Sequence, residues 1–181
     1  MKILGLAFLL VLLIQFNLCS QSLSARQKIS LDTDWKFQLG NASDPKKDYN
    51  YGIANLFSKS GKAEETPISN KYDDQSWSTI QVPHDWAVSL PFERSDNPDV
   101  MAHGYKSIGG MFPGNSIGWY RKGFSISKQD FGQRFSIKYD GVFRDAKVWV
   151  NGFYLGTNES GYVGFSYDLT DFLNYVGKSN K

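Results

Sequence analysis

Between residues 118 and 169 the chain passes through four short runs of strand character, separated by turns and with no helical stretch between them. Residues 134–139 alternate Phe135, Ile137 and Tyr139 with polar neighbours. Residues 146–155 alternate Ala146, Val148 and Val150 and then reach Asn151-Gly152. Residues 118–126 and 164–169 supply the other two runs. A period of two places alternate side chains on one face of a strand. Asn-Gly between apolar runs is the strongest short hairpin signal, because both residues tolerate positive φ. Closely spaced short strands of this kind predict an all-β fold, an antiparallel β-sandwich or jelly roll.

The upstream half repeats the theme less densely. Residues 35–39 alternate after the turn Asp32-Thr33-Asp34, and residues 76–82 bring Trp77, Ile80 and Val82 toward a core before Pro83 ends the run. Residues 40–74 form a long polar segment, with one helical turn expected at 53–57, and residues 92–115 form a second irregular one. The aromatic load (13 Phe, 10 Tyr and 5 Trp) excludes a disordered chain. A formal net charge of +2, with no Lys/Arg run, gives no footprint for nucleic acid. Residues 174–181 read as a polar turn, so the domain at 26–181 is expected to lack its last strand or strands, leaving an open edge.

The first 20 residues are set apart. Met1-Lys2 is a short positive head, residues 3–16 are almost wholly apolar, and small or polar residues follow at Cys19-Ser20-Gln21-Ser22. Such a core is too short to cross a bilayer and suits a signal peptide over residues 1–20. Export to the periplasm, cell surface or medium of a bacterium is the expectation. Cys19 is the only cysteine, so the mature domain relies on core packing without disulfides. A lipid anchor at Cys19 is the one membrane link considered, although Phe16-Asn17-Leu18 does not resemble a lipobox.

Catalytic chemistry is sparse. Asp73-Asp74, Glu64-Glu65 and Asp168/Asp171 lie in polar stretches and read as solvated turn residues. His84, beside Asp85, reads as a loop-fixing histidine bonded to backbone. Two histidines and no cysteine in the mature chain make no zinc site. Gly109-Gly110 lacks the Lys and Ser/Thr of a phosphate loop, and no Gly-X-Ser-X-Gly is present. No metal and no cofactor is expected. Trp35, Trp77 and Trp149 fall in alternating runs and belong to the core. Trp86 and Trp119 border irregular segments and are the candidates for stacking on a sugar ring.

Six motifs in order then resemble one family. Leu31-Asp32-Thr33-Asp34-Trp35-Lys36-Phe37, Tyr72-Asp73-Asp74-Gln75-Ser76-Trp77, Val82-Pro83-His84-Asp85-Trp86 and Gly118-Trp119-Tyr120-Arg121-Lys122-Gly123-Phe124 form the first four. Asp140-Gly141-Val142 through Val148-Trp149-Val150-Asn151-Gly152 with Leu155-Gly156, then Ser166-Tyr167-Asp168-Leu169-Thr170, complete the set. Together they are similar to the N-terminal sugar-binding jelly roll, a galactose-binding-like domain, of family 2 glycoside hydrolases of the β-galactosidase kind.

The resemblance implies a secreted glycosidase in which this domain shapes the substrate pocket and supports a catalytic barrel. The two catalytic glutamates belong to that barrel, so no catalytic residue is assigned here and the chain alone is expected to be inactive. The partner is a β-galactoside or related glycan met through the full-length enzyme, with β-glucuronide and β-mannoside left open, as is the oligomeric state. By the same resemblance, the segment before Trp119-Tyr120-Arg121-Lys122 reaches toward the sugar, which singles out His103, Tyr105, Lys106 and Asn115. An autonomous carbohydrate-binding module and a structural β-sandwich without ligand are the competing readings.

Overall fold

The fold was analysed from a computed structural model, which describes residues 26–41, 49, 66–89, 92–94, 111–113, 117–143, 145–175 and 177–181. The signal segment, Cys19 and the helical turn expected at 53–57 lie outside the described residues. The chain divides into two compact units, 1–31 and 32–181. Of the first, residues 26–31 carry no regular secondary structure and are largely exposed.

Eleven strands are described: β1 Trp35–Leu39, β2 Ser78–Ile80, β3 Phe92–Arg94, β4 Met111–Pro113, β5 Gly118–Arg121, β6 Phe124–Ser125, β7 Ser136–Tyr139, β8 Ala146–Val150, β9 Phe153–Asn158, β10 Phe165–Asp168 and β11 Ser179–Asn180. Among the described residues there is no α-helix, and every strand pairing is antiparallel. One sheet has the order β2-β1-β5, and the remaining strands pair as β7–β10, β6–β11, β3–β4 and β8–β9. This is the all-β antiparallel architecture expected from the alternating runs.

Local chemistry explains the elements. In β1, Lys36 faces Thr79 of β2 across the ladder and donates from Nζ to Thr79 Oγ1 at 2.9 Å. Phe37 faces Tyr120 of β5, with ring centroids 4.9 Å apart, a cross-strand aromatic pair. The β8–β9 hairpin turns on Asn151 (φ 52°) and Gly152 (φ 85°), with Val150 opposite Phe153. Two positive φ angles in a two-residue loop make a type I′ turn, which matches the twist of the strands it joins.

The run 118–126 is split. β5 lies in the first sheet, the strand breaks at Lys122-Gly123, and β6 pairs with β11 instead. Trp77 and Trp119 form one buried cluster, with Ile117 and Trp149 packed on it. Val150, Leu169 and Leu173 form another, with Phe124 and Ile126 packed on that.

The segment 174–181 differs from the expected polar turn. Ser179 and Asn180 form β11 against Ser125 and Phe124, and Asn180 is fully buried. Its Oδ1 accepts from Asn151 Nδ2 (2.8 Å) and Asn174 N (2.6 Å), while Nδ2 donates to Asn174 O (3.0 Å). Asn151 in turn accepts from Asn70 Nδ2 at 2.8 Å and donates to Phe172 O at 2.7 Å. Side-chain amides can meet two donors and two acceptors each, so polar residues hold a short strand where a turn was expected.

Candidate functional site

Three rings, His84, Tyr120 and Phe37, meet where the Val82-Pro83-His84-Asp85-Trp86 segment reaches β5. His84 Nδ1 lies 2.9 Å from the Tyr120 hydroxyl. The Phe37 ring packs edge-on to the imidazole, with centroids 4.6 Å apart. Asp85 Oδ1 accepts from Ala87 N at 2.9 Å and so opens the 3-10 turn Ala87–Ser89. The approach to the corner is fixed by Val82 N, which donates to Asp32 O at 2.8 Å. The Trp86 indole lies close against Gly118 of β5: a β-carbon at position 118 would sit 2.5 Å from Trp86 Nε1. Only glycine permits that approach, which explains the glycine opening Gly118-Trp119-Tyr120-Arg121. Burial, with a smaller contribution from the Asp85 charge, pushes the Tyr120 phenol up to about 12, so it stays protonated in neutral solution.

The next strands in the chain form a two-stranded antiparallel ladder of their own. β3 and β4 pair with Phe92 opposite Pro113, Glu93 opposite Phe112 and Arg94 opposite Met111. The stretch 92–115, expected to be irregular, therefore carries a strand at its start and another near its end. His103, Tyr105, Lys106 and Asn115 lie outside the described residues.

The two candidate stacking tryptophans separate. Trp119 is only 9% exposed and stacks on Trp149 at 6.1 Å, so it is a core residue and not a platform for sugar. The alternation of β5 sends Trp119 and Arg121 inward. Trp86 is half-buried and occupied with Gly118. Of the expected core tryptophans, Trp77 is buried, while Trp35 and Trp149 are half-buried. His84 also departs from expectation: among the described residues its ring meets the Tyr120 phenol, not backbone.

Among the carboxylates, Asp74 departs from expectation. Asp74 is not a solvated turn residue; it is buried and accepts from Arg121 Nε at 2.8 Å and Lys181 Nζ at 2.7 Å. Burial alone would raise its pKa, but the hydrogen bonds and charges of Lys181 and Arg121 outweigh that and hold it low. Arg121, 5% exposed, also donates from Nη2 to Ser69 O at 3.0 Å and from Nη1 to Pro67 O. Its guanidinium sits 5.3 Å from the centre of the Tyr72 ring. Both Asp74 and Arg121 stand inside the family-like motifs, which was the one signal in the sequence for this contact.

Asp73 fits its expected role and accepts from Gln75 N at 3.0 Å in an exposed turn. Asp168 closes β10; hydrogen bonds from Thr170 and Arg134 hold its carboxyl down at about 2. Glu64 and Glu65 lie outside the described residues. Among the described residues no three His, Cys, Asp or Glu side chains gather as a metal site would need.

A family model described as "Glycosyl hydrolases family 2, sugar binding domain" matches residues 29–180. The chain belongs to that family. This sugar-binding domain is 35% identical over 162 residues to a β-galactosidase of Bacteroides ovatus, a match covering 87% of the chain and 15% of the relative. It is 33% identical over 175 residues to a putative β-glucuronidase of Formosa agariphila, covering 97% of the chain and 14% of the relative. Among solved structures, a β-glycosidase from Bacteroides vulgatus superposes with a TM-score of 0.61 at 30% identity, over 86% of this chain and 16% of that one. The chain thus spans about 15% of the length of the curated relatives it matches.

Proposed function

We propose that this sugar-binding domain serves an exported β-galactosidase-like hydrolase as a non-catalytic part that shapes one wall of the substrate pocket and supports the catalytic barrel. The family match over residues 29–180 carries the reading. Four of the described aspartates have structural partners: Asp74 and Asp168 are held in ion pairs, and Asp73 and Asp85 cap turns. A retaining glycosidase needs two carboxyls about 5–5.5 Å apart, one of them free to donate a proton. Neither ion-paired aspartate offers that proton. β-Galactoside is the proposed substrate class of the whole enzyme, and β-glucuronide is the outcome to test beside it. Export is proposed from the apolar segment 3–16.

A chimera tests the role. Residues 26–181 replace the matched segment of the Bacteroides ovatus β-galactosidase, and a second form simply lacks that segment. The reading expects the chimera to keep kcat/KM on nitrophenyl β-galactoside within about tenfold, and the deletion to lose far more. Full activity in the deletion form would overturn it, as would turnover by residues 26–181 alone. Fractionation of the expressing cells tests export.

One observation favours the second reading, an autonomous carbohydrate-binding module. Phe143 and Tyr162 are 71% and 88% exposed and stand edge to face at 5.9 Å. Exposed aromatic faces suit the apolar side of a pyranose. Calorimetric binding of galacto-oligosaccharide to the chain, abolished by Tyr162→Ala, would favour the module.

A further inference from the structure

Asn151-Gly152 is the only Asn-Gly pair in the chain. A pair of this kind can react with no partner but water. The Gly152 nitrogen attacks Asn151 Cγ, and ammonia leaves with the amide nitrogen and the proton that Gly152 gives up. The cyclic imide that remains is opened by water at either carbonyl, which yields aspartate or isoaspartate. Glycine carries no side chain to shield its nitrogen from the attack. Gly152 is exposed and Asn151 half-buried, so water reaches the turn.

The fold keeps the reacting atoms apart in two ways. Asn151 (φ 52°) opens a type I′ turn, whose ideal ψ of about +30° sets Cβ on the side away from the next nitrogen. The side chain is then fixed by four bonds. Its Nδ2 donates to Phe172 O (2.7 Å) and Asn180 Oδ1 (2.8 Å), and its Oδ1 accepts from Asn70 Nδ2 (2.8 Å) and Lys181 N (3.1 Å). An amide offers two donors and two acceptor positions, so all are engaged. Two of these bonds go to residues 180–181, as does the backbone bond from Asn151 N to Lys181 O at 2.9 Å. Those residues are seated by the β6–β11 pairing and by Lys181 Nζ, 2.7 Å from Asp74 Oδ2.

We propose that Asn151 is a deamidation site held closed by the seating of residues 179–181, so that the reaction permanently marks a chain whose β11 has left β6. The product makes the change one-way. A carboxylate oxygen in place of Nδ2 faces two acceptors, Phe172 O and Asn180 Oδ1. Asn180 cannot turn its amide to answer, because its Oδ1 also accepts from Asn174 N and its Nδ2 donates to Asn174 O. β11 therefore does not reseat on a deamidated chain as it did before.

Mass spectrometry of the chain, incubated in mildly alkaline buffer and then digested, reads the acid formed at residue 151. A synthetic peptide of residues 147–156 gives the rate without the fold. The parent should react at least about thirtyfold more slowly than the peptide, since local opening must precede attack. Asn180→Ala removes the acceptor that faces Nδ2 and should speed the reaction at least about tenfold, the scale of one lost hydrogen bond. Lys181→Ala loses the Nζ–Asp74 bond, keeps its backbone and should speed it about fivefold. Gly118→Ala strains the fold elsewhere and should stay within about twofold of the parent. Equal rates in parent and peptide would overturn the proposal, as would a rate in Asn180→Ala no higher than the parent's. Equal acceleration in Gly118→Ala and Asn180→Ala would also overturn it, because the reaction would then follow general unfolding. If Asn180→Ala does not fold, Lys181→Ala decides alone.

Discussion

Arg121 reaches across 47 positions of sequence to donate from Nε to Asp74 Oδ2 at 2.8 Å, with both side chains buried. The guanidinium also holds the carbonyls of Pro67 and Ser69, so one side chain ties the segment before β2 to β5. A buried pair of this kind is most sensitive to the loss of one partner, which strands the other charge. Lys181 Nζ still meets the Asp74 carboxylate at 2.7 Å, so Arg121→Met should lower unfolding free energy by about 3 kcal/mol, the low end for a broken buried pair, measured by urea denaturation. Asp74→Asn keeps the shape and should cost less. A loss under about 1 kcal/mol for Arg121→Met would mean that the pair is solvated, as surface pairs are.

Stability should fall on the alkaline side through two tyrosines. Burial raises Tyr120 and Tyr139 to about 12, with smaller contributions from the Asp85 charge and from Tyr167. Unfolded tyrosine ionises near pH 10. Between those values the unfolded chain binds fewer protons than the folded one, so stability falls as pH rises. The contribution is intact below about pH 10 and is lost by about pH 12. Melting temperatures across that window should drop in the parent and drop less in Tyr139→Phe. Parallel profiles for the two proteins would remove Tyr139 from the account.

Asn180 is completely buried and holds three hydrogen bonds to Asn151 and Asn174. Asn180→Ala leaves buried donors and acceptors without partners, at about 1–3 kcal/mol for a group so stranded. Denaturation should show a loss of at least about 2 kcal/mol, since more than one group is affected. A neutral substitution would mean that water replaces the amide.

Gly118→Ala places a methyl 2.5 Å from Trp86 Nε1 and 2.9 Å from Trp86 Cδ1. The indole must move, at about 1–3 kcal/mol for an overpacked site. Tryptophan emission should shift to the red as Trp86 is displaced. The cost should shrink in a Trp86→Ala background, and additive losses in that double-mutant cycle would separate the two positions.

The parts of the fold legible in the sequence are those fixed by near neighbours. The hairpin at Asn151-Gly152 follows from two adjacent residues that accept positive φ. The strands at 35–39, 136–139 and 165–168 follow from alternation. What stayed hidden depends on distant partners. Asp74 looks like a turn residue until Arg121 and Lys181 meet it. β3 and β4 are three residues each, and Pro113 in one of them argues against a strand unless it lies at an edge. β11 is Ser-Asn, with no apolar signal, and is held by side-chain amides. Trp119 follows an irregular segment, so nothing before it signals the alternation of β5 that turns it inward.

The break at Lys122-Gly123 has a bearing on how the domain comes apart. Trp119, just before it, completes the cluster around Trp77, and Phe124, just after it, packs on the cluster of Val150, Leu169 and Leu173. One continuous stretch of backbone therefore walls both cores. Neither core can be emptied without tugging a shared wall out of the other, so the two melt as one cooperative event. A cut at Lys122-Gly123 would yield two pieces, each missing a side of its interior, and they would regain order only by finding each other again.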